Sequence, residues 1–139
     1  MKNKIAKIPY RKLRYLLSCP FILGMAIPII FLDITMEIYH RIAFPLYGIS
    51  INKWSNYIRI DRQKLSYLNF WDKLWCTYCG YANGVAAYSV KIAGDTEKYW
   101  CGIKHKAGDN FIEPEHHKDF LEYGDRKAYE DFINQNKKV

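Results

Sequence analysis

Residues 15–32 read YLLSCPFILGMAIPIIFL, a run with no charged side chain. The length matches a minimal membrane-spanning helix, which needs roughly 17–25 apolar residues. Before it, residues 1–14 carry Lys2, Lys4, Lys7, Arg11, Lys12 and Arg14 and no acid. A basic block beside an apolar run places that flank on the cytoplasmic side of a membrane. The run holds Pro20 and Pro28, with Gly24 between them. Each proline removes a backbone donor and kinks a helix, and lipid tolerates this only where the freed carbonyls find other partners. Apolar residues continue past Leu32 through Ile34, Ile38, Ile42, Phe44, Leu46 and Tyr47. Three readings of residues 15–47 follow: a span, a bent in-plane hairpin with both ends cytoplasmic, or a core helix of a soluble domain.

At 139 residues the chain is long enough for one domain, not two. Aromatics make up 17% of the chain and half of it is hydrophobic, which excludes a disordered polyelectrolyte. The net charge of +7 calls for an anionic partner. Trp54, Tyr57, Tyr67, Trp71 and Trp75 are interleaved with Lys53, Arg59, Arg62 and Lys64. That mixture suits a membrane interface, and next to an apolar run it favours an anionic phospholipid surface over single-stranded nucleic acid. A protein partner is compatible with the same surface.

Pro45 and Gly48 close the apolar part, and within residues 48–139 Tyr57-Ile58-Arg59-Ile60-Asp61 alternates as a short strand would. Asn69 is placed to cap a helix from Phe70, with Asp72 in its first turn. Gly80 and Asn83-Gly84 read as its end. A second helix over residues 85–105 would then return beside it as a helical hairpin. Two short terminal helices follow, split at Gly124, with Asp125 as a cap. The fold class is therefore mainly α: an N-terminal membrane-embedded helix or hairpin, then a small helical domain.

The strongest chemical signal is Cys76-Thr-Tyr-Cys79 followed by Cys101-Gly-Ile-Lys-His105, a C-x2-C and a C-x3-H. Three thiolates and an imidazole satisfy a tetrahedral zinc ion, and the hairpin would bring Cys76, Cys79, Cys101 and His105 together. Lys73, Lys98, Lys104 and Lys106 flank the set and offset its negative charge. Iron or an iron–sulfur cluster is the alternative, since clusters accept thiolates and sometimes histidine. The plain reading of the same cysteines is as small buried hydrophobes. A thioredoxin-like dithiol fits poorly, because no strand precedes Cys76. The fourth cysteine, Cys19, lies in the apolar run, so a two-disulfide scaffold is not indicated and the thiols fit a reducing, cytoplasmic setting.

Three further groups carry lesser signals. Asp33, Glu37 and His40 share a helix face, as a metal or proton-handling site at the membrane edge or as the polar end of the helix with Arg41 pairing Glu37. His116 and His117 offer an alternative fourth ligand or a supporting contact to a ligand. Glu97, one turn before Cys101, could accept a hydrogen bond from a ligand. No phosphate loop, nucleophile triad or H-e-x-x-H motif is present. The chain thus reads as a membrane-associated metal-binding module, with an iron redox protein or a zinc-dependent hydrolase as alternatives.

The segments from Cys76 to Gly84 and from Tyr99 to His105 resemble the YCxYxNG and YWCxIKH segments of a family of small uncharacterised bacterial membrane-associated proteins. The likeness extends through Leu32-Asp33, Phe44-Pro45-Leu-Tyr-Gly48, Asp61-Arg62 and Tyr123-Gly124-Asp125. Gly102 stands where the family has proline, leaving the ligand spacing intact. The resemblance implies no activity.

Overall fold

The computed structural model describes residues 10–136, so most of the basic N-terminal block and the Lys137-Lys138 tail lie outside the described residues. The protein is mainly helical, with a long apolar helix at the N-terminal end and helical structure after it. The chain divides into two compact units, Met1–Ser89 and Val90–Val139.

In the first unit α1 (Arg11–Gly24) and α2 (Ala26–Tyr47) are separated by Met25 alone, itself in a right-handed helical conformation. The Met25 N–H donates to the Phe21 carbonyl and the Ile29 N–H to the Met25 carbonyl, both at 3.2 Å. Leu13–Tyr47 is therefore one helix of 35 residues, interrupted but not reversed. Pro28 explains the interruption, since it has no N–H for the Gly24 carbonyl and its ring crowds that turn. A chain that stays helical through Met25 cannot form the hairpin over residues 15–47; the helix is the alternative realised. It is long and apolar enough to cross a membrane by length and composition. A core helix would be mostly buried, whereas none of its most apolar window is. The helix ends at Gly48 with φ of 69°, a left-handed position that favours glycine.

α3 (Phe70–Trp100) starts as the sequence indicates, with the Asn69 Oδ1 accepting the Asp72 N–H at 2.9 Å. It does not stop at Asn83-Gly84. The helix runs unbroken for 31 residues, so no helical hairpin forms. The glycines act as notches instead. A Cβ on Gly84 would lie 2.7 Å from Ile58 Cγ1 and 2.9 Å from the Tyr57 carbonyl oxygen, and one on Gly80 would lie 3.0 Å from the Arg59 carbonyl oxygen. Residues 57–59 thus ride directly on the α3 backbone, and the stretch read as a strand has helix, not strand, for a neighbour. The core of this unit gathers there: Phe44, Ile58, Val85 and Tyr88 are buried, with His40 among them.

The second unit takes over the end of α3. Gly102, at φ of 60°, ends the helix, with its N–H and that of Cys101 both on the Glu97 carbonyl. Residues 101–123 fold back, joined by a parallel bridge between Ile103 and Leu121. The first expected terminal helix is only a 3-10 turn, Glu115–Asp119, begun at Pro114. The second is α4 (Arg126–Asn136), capped by the Asp125 Oδ1 on the Ala128 N–H at 2.9 Å. Ile92, His117 and Phe120 form the buried centre.

Candidate metal centre

The continuous α3 sets where the cysteines stand. Cys76 and Cys79 lie one turn apart in the first unit, while Cys101 and His105 lie past the helix end in the second. The expected convergence of Cys76, Cys79, Cys101 and His105 needed the turn at Asn83-Gly84, which is helix. All four cysteines are free thiols; Cys79 and Cys101 are exposed and Cys76 is half-buried.

A different constellation does assemble, and it retains His105. Glu97 projects from the last turn of α3, and the 3-10 turn after Pro114 brings two histidines to it. His116 Nε2 is 2.9 Å from Glu97 Oε2, and His117 Nε2 is 3.2 Å from Glu97 Oε1. Potential ligand atoms of Glu97, His116 and His117 all lie within 4.8 Å of one another. His105 approaches the same carboxylate from the loop after the helix, with its Nε2 3.8 Å from Oε1. Three of the chain's four histidines therefore surround one carboxylate.

The burial is graded. The His117 side chain is 1% exposed, His116 and Glu97 about a third, and His105 64%. His117 is stacked on Phe120 with ring centroids 4.7 Å apart, and His116 packs edge-on to His117 at the same distance. The buried His117 Nδ1 has no hydrogen-bond partner. Its neutral form therefore carries the proton on Nε2, where Glu97 can accept it. The hydrogen bond from His116, against the opposing effect of burial, and then that from His117 hold the Glu97 carboxyl below the usual carboxylate range. The carboxylate is anionic at neutral pH, as a metal ligand must be.

The two histidines contact different oxygens of the carboxylate, both at hydrogen-bond distance. Ligand arms of about 2.0–2.1 Å in a tetrahedron put neighbouring ligand atoms ~3.3 Å apart. The two nitrogen–oxygen separations of 2.9 and 3.2 Å lie close to that edge.

Gly94 makes the approach possible. One turn before Glu97, its Cα faces the His116 ring so closely that an added Cβ would lie 2.9 Å from Cγ and 3.1 Å from Cδ2. Gly94→Ala is expected to push His116 off the carboxylate; in the zinc site proposed below this displaces a ligand and weakens zinc binding by more than about tenfold. Gly108, where an added Cβ meets nothing within 4 Å, is the control site for the same substitution. A competition titration against a chromogenic chelator reads both.

The second polar cluster is a clamp. Asp33 accepts the Trp54 Nε1–H at 3.0 Å and the Tyr81 hydroxyl at 2.8 Å. His40 Nε2 accepts the Asn52 N–H at 3.0 Å, which leaves the proton of the neutral ring on Nδ1, 2.9 Å from the Tyr88 oxygen. The Tyr88 hydroxyl in turn donates to Glu37 at 2.6 Å. Arg41 pairs with Glu37, as the polar-end reading held. Burial first, and then the Asp33 hydrogen bond, push the Tyr81 phenol up to about 12. Tyr88 is raised for the same kinds of reason, with Glu37 as its partner. Both phenols are thus donors at neutral pH, and the cluster ties α2 to residues 52–54 and to α3. Tyr88→Phe removes the acceptor of a buried imidazole N–H and a donor to a carboxylate. A loss of about 1 kcal/mol is expected, measured by urea unfolding in mild detergent.

From the sequence, His116 and His117 offer an alternative fourth ligand or a supporting contact to the cysteine site, and Glu97 a hydrogen-bond acceptor; their meeting on one carboxylate is not foreseen. No protein-family model, no curated protein and no solved structure matches this chain.

Proposed function

We propose that this chain is a membrane-associated zinc-binding module in which Glu97, His116 and His117 hold the ion and His105 completes its coordination. The observation that carries this reading is the convergence of three imidazoles on one ionised, partly buried carboxylate. Imidazole and carboxylate together suit zinc at tetrahedral distances. The mechanism is folding linkage: an ion bridging α3 to the 3-10 turn and to the His105 loop would lock the second unit in place. Such a locked unit would act as a binding or assembly surface at the membrane. The exposed apolar helix supports attachment to a phospholipid bilayer, and the free thiols together with the basic N-terminal flank support a cytoplasmic face for the metal unit.

One observation favours a second reading. His105 stands off at 3.8 Å and is mostly exposed, which leaves two histidines and a carboxylate with an open position. That is the donor set of non-haem iron sites, and also of hydrolytic zinc.

The test is metal analysis by mass spectrometry, with a visible spectrum, on the full chain purified in mild detergent under reducing, anaerobic conditions. One colourless zinc per chain supports the proposal. Iron would move the reading to redox chemistry. A metal-free protein that takes up neither ion on titration would sink both.

A further inference from the structure

The apolar helix is shielded on one side only. Cys19, Ala26, Ile29, Asp33, His40 and Phe44 recur every three to seven residues and are half-buried or buried. Away from them Leu23, Ile27, Phe31, Ile38, Ile42 and Leu46 are exposed, a stripe that continues well past the first charge at Asp33. At about 1.5 Å per residue the 35-residue helix is roughly 52 Å long, against roughly 30 Å of bilayer hydrocarbon.

What lies on the shielded side decides the orientation. The first half of α3 runs in the same direction as the apolar helix. Trp71 and Trp75 share a cavity with Tyr15 and Cys19, and the Tyr78 hydroxyl reaches the Ile22 carbonyl at 2.7 Å. Farther along, Tyr81 and Tyr88 reach Asp33 and Glu37. The segment between the helices must therefore travel back along them. Its Asn52 sits at His40, its Trp54 at Asp33, and the Arg59 carbonyl at Gly80. Between there and Phe70 it carries Asp61, Arg62 and Lys64, all exposed, and it must reach the start of α3, where Trp71 and Trp75 meet Tyr15, Cys19 and Ile22 of the uncharged run. A helix crossing the bilayer over residues 15–32 would drag these charges, and non-helical backbone, into the hydrocarbon. Lipid-exposed irregular backbone does not occur there, and exposed charges are strongly disfavoured.

Charge points the same way. Through Ser89 the sequence has twelve Lys and Arg against four Asp and Glu; from Val90 onward it has nine against ten. The whole positive excess travels with the stripe. Building on the membrane attachment proposed above, we infer that Leu13–Tyr47 lies in the plane of one leaflet of an anionic phospholipid bilayer. The stripe sits among the acyl chains, and the basic side chains of the first unit lie at the headgroups.

The test is lysine mapping on the full chain expressed in a bacterial host. Intact spheroplasts are treated with a membrane-impermeant amine reagent, and labelled lysines are located by mass spectrometry before and after permeabilisation. One-sided insertion predicts that Lys2, Lys4 and Lys7 behave like Lys127 and Lys138, all shielded or all labelled together. Labelling of one end in intact spheroplasts and of the other only after permeabilisation means a crossing and overturns the inference, leaving membrane attachment intact. A chain found wholly in the soluble fraction overturns the attachment itself. As a second readout, Phe31→Glu, at an exposed position, is expected to lower the fraction bound to phosphatidylglycerol-containing vesicles at least tenfold; an unchanged fraction overturns the role of the stripe.

Discussion

Glu97→Gln should strip the chain of zinc while Cys76→Ser leaves the metal in place. The amide keeps the size of the carboxylate but loses its charge, and with it a ligand and the acceptor that holds both His116 and His117. Losing a supporting contact to a zinc ligand costs 10–100-fold in affinity, and losing the ligand itself is expected to cost more than 100-fold. His117→Ala should do the same, but it also removes a ring buried at 1% exposure and stacked on Phe120. Its effect therefore mixes metal loss with a cavity in the second unit. Glu97→Gln is the cleaner variant because Glu97 is about a third exposed. Zinc per chain by mass spectrometry, on wild type and the three variants, reads the outcome. If Cys76→Ser lost the metal and Glu97→Gln kept it, the thiolate set would be restored and the histidine site would fall.

The contrast shows which parts of the structure were legible. Local signals were. Asn69 and Asp125 each place a side-chain oxygen on the N–H three residues on, and Gly48 ends α2 in a left-handed turn. Such features depend on a few adjacent residues, so the sequence contains all the physics involved. The histidine–glutamate cluster depends on long-range approach. Cys76 with Cys79 and Cys101 with His105 have ligand spacing, but spacing within each pair says nothing about whether the pairs meet. Glu97 and His116 are brought together by a loop whose path local pattern does not set. Adjacent histidines diverge on an α-helix; on the 3-10 turn after Pro114 both reach Glu97. A usable hint was present in Gly94, since a glycine inside a long helix often marks close approach by another group. The end of α3 is hidden for the same reason: Gly80 and Gly84 have the local pattern of stop signals, and they are the floor on which residues 57–59 lie.

That role makes the sign of Gly84→Ala unusual. In an exposed helix interior the change stabilises by about 1 kcal/mol, because alanine is the better helix former. Here the added Cβ would meet Ile58 Cγ1 at 2.7 Å, the Ile58 Cα at 2.8 Å and the Tyr57 carbonyl oxygen at 2.9 Å. Two of these three atoms are backbone, so no rotamer change relieves the clash; residues 57–58 must lift. Forcing extra carbon into a packed contact costs about 1–3 kcal/mol, and the movement spreads further. Ile58 is 5% exposed, and Tyr57 packs against Tyr88 with ring centroids 5.5 Å apart. Tyr88 is in turn the hinge of the His40–Glu37 clamp. A net loss of about 1–2 kcal/mol is expected after the helix-propensity gain is subtracted. Since each 1.4 kcal/mol is about tenfold in an equilibrium, and cleavage follows the open population when reclosing is fast, trypsin should cut after Arg59 about tenfold faster. Gly84→Leu should unseat the segment altogether, and Gly108→Ala should change nothing. Stabilisation by Gly84→Ala, with slower cleavage, would mean that residues 57–59 do not rest on α3, and the path of the return segment beside the apolar helix would have to be redrawn.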